Sequence, residues 1–497
     1  MAATRRLAAP ALAAIGVALI AVSTAGQTPP AQPQTPSKAV VMKGKAPVSD
    51  AVLDLALPRP AEADLPNGLH LMVLEDRRAP QVNFVLVFPG AGGYADPADH
   101  HGLAMFTAAM LREGTSTRSS RQIAEQLERL SAVLSVNAGM AEDEARVTGF
   151  SLSEHVGTLL DLAADIVLNP VFPEEELARY KTRTGAQLTQ LRANPGFLAA
   201  ELFNRVTYGD HPAGRTMPAP AALEATTRQA LVDFHKARYV PDHAALAIAG
   251  DISMAEVRAL VDARFGAWKK AGVSAPAVAD PAALSGPGVY LVERPNSVQT
   301  NLLVGTQAIS RTDPDYFALT VLNRVIGGGP TGRLFRHLRE EKGYTYGAYS
   351  NLSAARHRGD WSASTQVRTE VTEPALTDLM DEIRQVREVP VPEQEFLDAK
   401  RSLVASFALE LESPARVLAN HIDRWRYRLP ADYWDRYPAG IMGVTRERAQ
   451  AMAKKYLDPS RLQIVAVGTA AQIESTLKKF GAVQAYDTEG KRISGSQ

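Results

Sequence analysis

The chain has 497 residues, 54 basic and 54 acidic, with 45% hydrophobic and 22% charged residues and no cysteine. The balanced charge leaves no global field to draw nucleic acid or an anionic membrane, and the missing cysteines exclude disulfides and lipoprotein attachment. The length suits two to four domains at the usual ~100 to 200 residues each.

Residues 1–25 read as a secretory signal peptide. Arg5 and Arg6 precede an apolar run from Leu7 to Val22, which ends in the small residues Ser23 to Gly26. The apolar core is too short for a lasting anchor, so no stable membrane anchor is expected after cleavage, and a bacterial periplasm is the compartment implied. Residues 26–50, rich in Pro, Gln and Ala, form an extended linker. A first domain is expected over 51–270, an Ala/Pro-rich connector over 271–287, a second domain over 288–482 and a tail over 483–497.

Within the first domain, Leu103, Met105, Phe106, Ala108, Ala109, Met110 and Leu111 make a helix apolar nearly all round, as buried helices are. The adjacent His100 and His101 point in different directions, which makes a poor metal pair. His211, flanked by Asp210 and Pro212, reads as a turn residue.

Several features recur at one separation, the mark of an internal repeat. Gln81-Val-Asn returns as Gln299-Thr-Asn, a shift of 299 − 81 = 218, and Thr227-Arg228 returns as Thr445-Arg446 at the same shift. Phe172-Pro-Glu-Glu-Glu and Val391-Pro-Glu-Gln-Glu match at 391 − 172 = 219. The fold expected is α+β: two homologous domains, each a mostly antiparallel sheet covered by helices, arranged as a clamshell.

In the second domain, Gly327-Gly328-Gly329-Pro-Thr-Gly332 is followed by Arg333 and Leu334, where a phosphate loop needs Lys and Ser or Thr. Leu334, Phe335 and Leu338 then form an apolar helical stripe carrying Arg339, and Lys342-Gly343 is a stop signal. A strand follows from Tyr344, in which alternation would set Tyr344 and Tyr346 on one face, so that Arg339 and Tyr346 converge on one cleft.

The run Leu334-Phe-Arg-His-Leu-Arg-Glu-Glu-Lys-Gly-Tyr-Thr-Tyr resembles the Arg/Tyr substrate-binding motif of the pitrilysin/insulinase zinc peptidases, the inverzincins. That family carries H-x-x-E-H in its other half, two His for zinc with a Glu as general base. In the matching run, His101 to Thr115, Met105 and Ala109 stand where the His residues belong and Ala108 where the Glu belongs. The third ligand should fall near Ala186 and Gln187, and no carboxylate lies there. The resemblance therefore implies a non-catalytic subunit that binds no metal itself. Arg339 and Tyr346 would hold a peptide substrate, and zinc would sit on a homologous H-x-x-E-H partner. It also implies loop contacts from Gly327, Gly328 and Gly329, and an edge strand around Asn137 that extends a bound peptide. The rival reading is a peptide-binding or scaffold protein with no peptidase partner.

Overall fold

The computed structural model describes residues 55–272 and 277–493; residues 1–25 and 26–50, read above as a signal peptide and a linker, lie outside them. Two six-stranded sheets organise the described residues. The first comprises β1 (Ala61–Asp64), β2 (His70–Glu75), β3 (Gln81–Pro89), β4 (Val133–Ala138), β5 (Glu144–Leu152) and β6 (Ala245–Gly250), in the order β1-β2-β6-β3-β5-β4. The second comprises β7 (Gly288–Glu293), β8 (Gln299–Gln307), β9 (Thr345–Ser353), β10 (Asp360–Arg368), β11 (Gln463–Gly468) and β12 (Val483–Tyr486), in the order β12-β7-β11-β8-β10-β9. Residues 483–486, expected to open a tail, instead pair as β12 with β7, because Val483 and Ala485 have an apolar face to bury.

Five strands of each sheet correspond. Strands β7, β8 and β11 begin at the positions of β2, β3 and β6 shifted by 288 − 70, 299 − 81 and 463 − 245, each 218. The fully buried strands Ala245–Gly250 and Gln463–Gly468 sit centrally in both sheets, which is why their sequences are almost continuously apolar.

Each sheet is packed on one face by helices of its own half. The other face is covered by a helix from the opposite half. The first crossing helix, Pro195–Tyr208, lays Leu198, Leu202 and Phe203 on Val292, Val465 and Val467 of the second sheet. Gly305 makes room for it, since a Cβ there would lie 2.7 Å from the Phe203 ring. The second crossing helix, Pro414–Tyr427, sets Val417, Leu418 and Ile422 on Met72, Leu74, Ala247 and Ala249 of the first sheet. The two helices are separated by 414 − 195 = 219 residues, so the exchange follows the repeat. The paired α+β lobes thus form the expected clamshell, with the crossing helices binding the halves together.

Candidate substrate-holding site

The motif helix begins as ordinary α-helix at Arg333–Phe335 and widens to a π-turn over Arg336–Glu341. Gly343, at φ +63°, ends it, as the sequence leads one to expect. Leu334 and Leu338 are fully buried and fix its rotation. An ion pair and a hydrogen bond fix its position: Arg333 forks onto Glu395 at 2.8 and 2.9 Å, and the His337 ring lies 2.9 Å from Glu382. Arg339 emerges on the exposed side, its guanidinium 4.7 Å above the Phe335 ring, which in turn lies 5.5 Å from the Tyr349 ring. A stacked guanidinium keeps its fork of donors free at the edge.

The expectation that Tyr344 and Tyr346 share a face of one strand is corrected: β9 begins only at Thr345, and the Tyr344 amide still donates to the Leu338 carbonyl at 2.9 Å in the turn that ends the helix, just ahead of a β-bulge. Thr345 pairs with Val367 and Ala348 with Thr365, leaving Tyr346 and Gly347 opposite the single residue Gln366. The extra residue breaks the two-residue alternation. Tyr344, outside the ladder, packs against the core, while Tyr346 is 92% exposed. Thr345 holds the bulge, its hydroxyl accepting from the Gly347 amide at 3.1 Å and donating to the Gly347 carbonyl at 2.9 Å.

The glycine run serves close packing within the chain. The Gly327 carbonyl accepts from the Ser350 amide at 2.9 Å, closing part of the β9 edge. A Cβ on Gly327 would lie 2.7 Å from that amide, and one on Gly332 2.7 Å from the Gly327 Cα. Gly328 and Gly329 pack on Arg324, which donates to the Gly328 carbonyl at 2.7 Å.

In the first lobe, the helix Leu103–Met110 is capped by Asp96, which accepts from the Gly102 and Ala104 amides at 2.6 and 2.7 Å. Ala108 is buried, whereas Met105 and Ala109, one turn apart, share its half-exposed side. None of the three offers a zinc donor suited to hydrolysis or a proton acceptor. On the helix Glu174–Leu191, Ala186 and Gln187 are exposed and Thr184 and Leu188 are buried. Among the described residues, no group of three or more His, Cys, Asp and Glu side chains is set to hold a metal ion. The His100 ring bonds the Thr226 hydroxyl at 2.8 Å.

Asn137 is exposed on β4, the outer strand of its sheet. It lines an inter-lobe cleft of about 380 Å³ with Tyr94, Arg146, Arg356, His357 and Arg426. Asp143 joins the lobes there, accepting from Arg356 at 3.0 Å and from Arg426. Burial opposes its ionisation, but the two guanidinium groups more than offset that and hold the carboxyl below its usual range. His211 is indeed a turn residue: Nδ1 accepts from the Ala213 amide at 3.1 Å and Nε2 donates to the Ala279 carbonyl at 3.0 Å, which fixes a neutral tautomer. Its ring lies 4.8 Å from that of His357, a contact between residues distant in sequence that no local pattern announces.

Sequence reasoning did not single out Phe335 and Tyr349 as companions of Arg339, nor Glu382 and Glu395 as anchors of its helix. Gly347 inside an otherwise β-forming run was the available signal for the bulge.

The sequence matches the family model described as "Insulinase (Peptidase family M16)" over residues 71–221 and the one described as "Peptidase M16 inactive domain" over residues 225–403. An uncharacterized zinc protease of Mycobacterium leprae is 30% identical over 290 residues, 58% of this chain and 64% of that protein. The uncharacterized zinc protease YmxG of Bacillus subtilis is 25% identical over 351 residues, covering 70% of this chain and 83% of its own. Among solved structures, a peptidase M16 inactive domain from Pseudomonas fluorescens superposes with a TM-score of 0.76 at 29% identity, covering 82% of this chain and 98% of that one. A protease from Helicobacter pylori shares the fold, with a TM-score of 0.77 at 16% identity over 83% of this chain and 100% of its own.

Proposed function

Because this chain belongs to the insulinase (M16) peptidase family, we propose that it is a non-catalytic, substrate-binding subunit of a periplasmic, heteromeric zinc metallopeptidase. The observation that carries the reading is an asymmetry. The second lobe presents Arg339 and Tyr346 to solvent on an anchored helix and a pinned bulge, while the first lobe has Met105, Ala108 and Ala109 at the positions of the metal and base residues.

A homologous partner chain with H-x-x-E-H would carry the zinc, which supplies an activated water and a polarised carbonyl. This chain's own contribution is binding and orientation. Arg339, stacked on Phe335, presents paired N–H donors to carbonyls or a carboxylate of the peptide. Tyr346, free of packing, donates its hydroxyl to a substrate carbonyl and, more strongly, to the oxyanion that replaces it.

The test is peptide hydrolysis by the complex purified with wild-type or variant forms of this chain. Tyr346→Phe is expected to leave assembly unchanged and to lower kcat by roughly 10²-fold, the range for losing one oxyanion donor. Full activity with Tyr346→Phe would remove the role given to that hydroxyl.

A further inference from the structure

The second sheet carries a feature that the Arg/Tyr motif does not account for. Where the helix Glu174–Leu191 turns into the first crossing helix, a groove of about 860 Å³ opens against the uncovered part of the sheet. Gln187, Gln190 and Asn194 line its helical side, and Asn301 and Gln366 its sheet side. The remaining lining residues are Leu191, Ala193, Pro195 and Gly196, so it holds five side-chain amides and no charged group.

Asn301 and Gln366 are directly opposite each other on β8 and β10, so they share a face of the sheet. The Asn301 amide nitrogen is buried without a hydrogen-bond partner. A buried, unpaired donor is costly and calls for an acceptor. Gln366 in turn faces the bulge that bears Tyr346, so the amide row runs across the sheet toward that residue.

We propose that this groove binds the main chain of an extended, uncharged peptide segment, holding a substrate at a distance from its scissile bond. A side-chain amide matches a peptide group because it carries both a donor and an acceptor; the Asn194 oxygen already caps the crossing helix and the Gln366 nitrogen donates to Gln299 at 2.7 Å, which leaves the Asn194 nitrogen and the Gln366 oxygen for a ligand. The absence of charge suits a ligand whose main chain, rather than its side chains, is read. No aromatic ring lines the groove for a sugar to stack on, and Leu191, 37% exposed, offers an apolar contact to a peptide side chain. The direction of the bound segment, toward Tyr346, rests on the function proposed above; the binding itself does not.

The experiment is a ligand-observed NMR titration of the full chain with an end-blocked neutral peptide of about ten residues, composed of Ala, Thr and Val, and separately with chitotriose. Wild-type chain is expected to bind the peptide and not the sugar. Gln190→Leu combined with Gln366→Leu, both at exposed positions, should weaken binding about tenfold, the effect of losing one or two hydrogen bonds. The thermal midpoint of the variant should stay unchanged. Tyr346→Phe should retain binding of this probe. No peptide binding, equal binding by the double variant, or binding of chitotriose instead would each overturn the proposal. Loss of binding in Tyr346→Phe but not in the amide variant would also overturn it, while leaving the Arg/Tyr reading in place. Conversely, a complex indifferent to Tyr346→Phe in turnover would sink that reading without touching the groove.

Discussion

Several buried polar residues set the acid–base behaviour of the lobe junction, and two of them act in opposite directions. Asp360 is buried with the Tyr208 hydroxyl donating to it at 2.6 Å, and burial raises its pKa to about 6. Its protonated form is favoured in the fold, so its contribution is present below the ordinary carboxylate value of 3.8 and is lost as pH rises through about 6. Asp360→Asn, which keeps an acceptor for Tyr208, should therefore raise stability at pH 8 by on the order of 1–3 kcal/mol and do little at pH 4. Thermal midpoints at the two pH values check this, and an equal effect at both would contradict it. For His357, burial first and the neighbouring His211 second depress the pKa to about 4. Its contribution is present above 6.5 and is lost as pH falls through about 4, so His357→Gln should flatten the acid side of the stability curve between those limits. Neither shift was legible in the sequence, because both arise from contacts between the two halves. That Met105, Ala108 and Ala109 bring neither imidazole nor carboxylate, by contrast, was readable directly, since it lies in residue identity.

Among the elements, the motif helix shows how far pattern reading carries and where it stops. Its apolar stripe, its Gly343 stop and the following strand follow from local sequence. The π-turn and the bulge do not, because each is an insertion of one residue relative to the regular period, and both fall at the residues of interest. The anchors Glu382 and Glu395 lie on helices that no local rule brings to Arg333 and His337. Glu395→Gln should leave the fold intact and loosen the start of the motif helix, read as faster amide exchange over residues 333–341 than in wild type. Unchanged exchange there would mean that Leu334 and Leu338 alone hold it. The glycine run was legible as a special backbone segment, but its packing against Ser350 and Arg324 required the fold. Gly332→Val, with a Cβ 2.7 Å from the Gly327 Cα, should cost stability through displacement of the loop from the β9 edge.

At the scale of the whole molecule, the repeat seen in the sequence becomes a reciprocal exchange: each half lends one helix to the other's sheet. The offset was readable, but the exchange was not, since a helix amphipathic toward its own sheet looks the same as one amphipathic toward its neighbour's. The consequence is cooperativity. Leu202→Ala and Ile422→Ala, from the first and second crossing helices, should each cost about 2–5 kcal/mol and shift a single unfolding transition. Calorimetry that resolved two separate transitions would contradict the coupling. Arg339 and Tyr346 are exposed on the second half of this joined body. The most direct test is to isolate this chain from its native host and assay the co-purifying protein, zinc and peptide hydrolysis together. The account predicts a stoichiometric, homologous H-x-x-E-H chain that holds the zinc and confers activity, with neither retained by this chain alone. Zinc and hydrolysis in the isolated chain, or a lone inactive chain with no such partner, would contradict it.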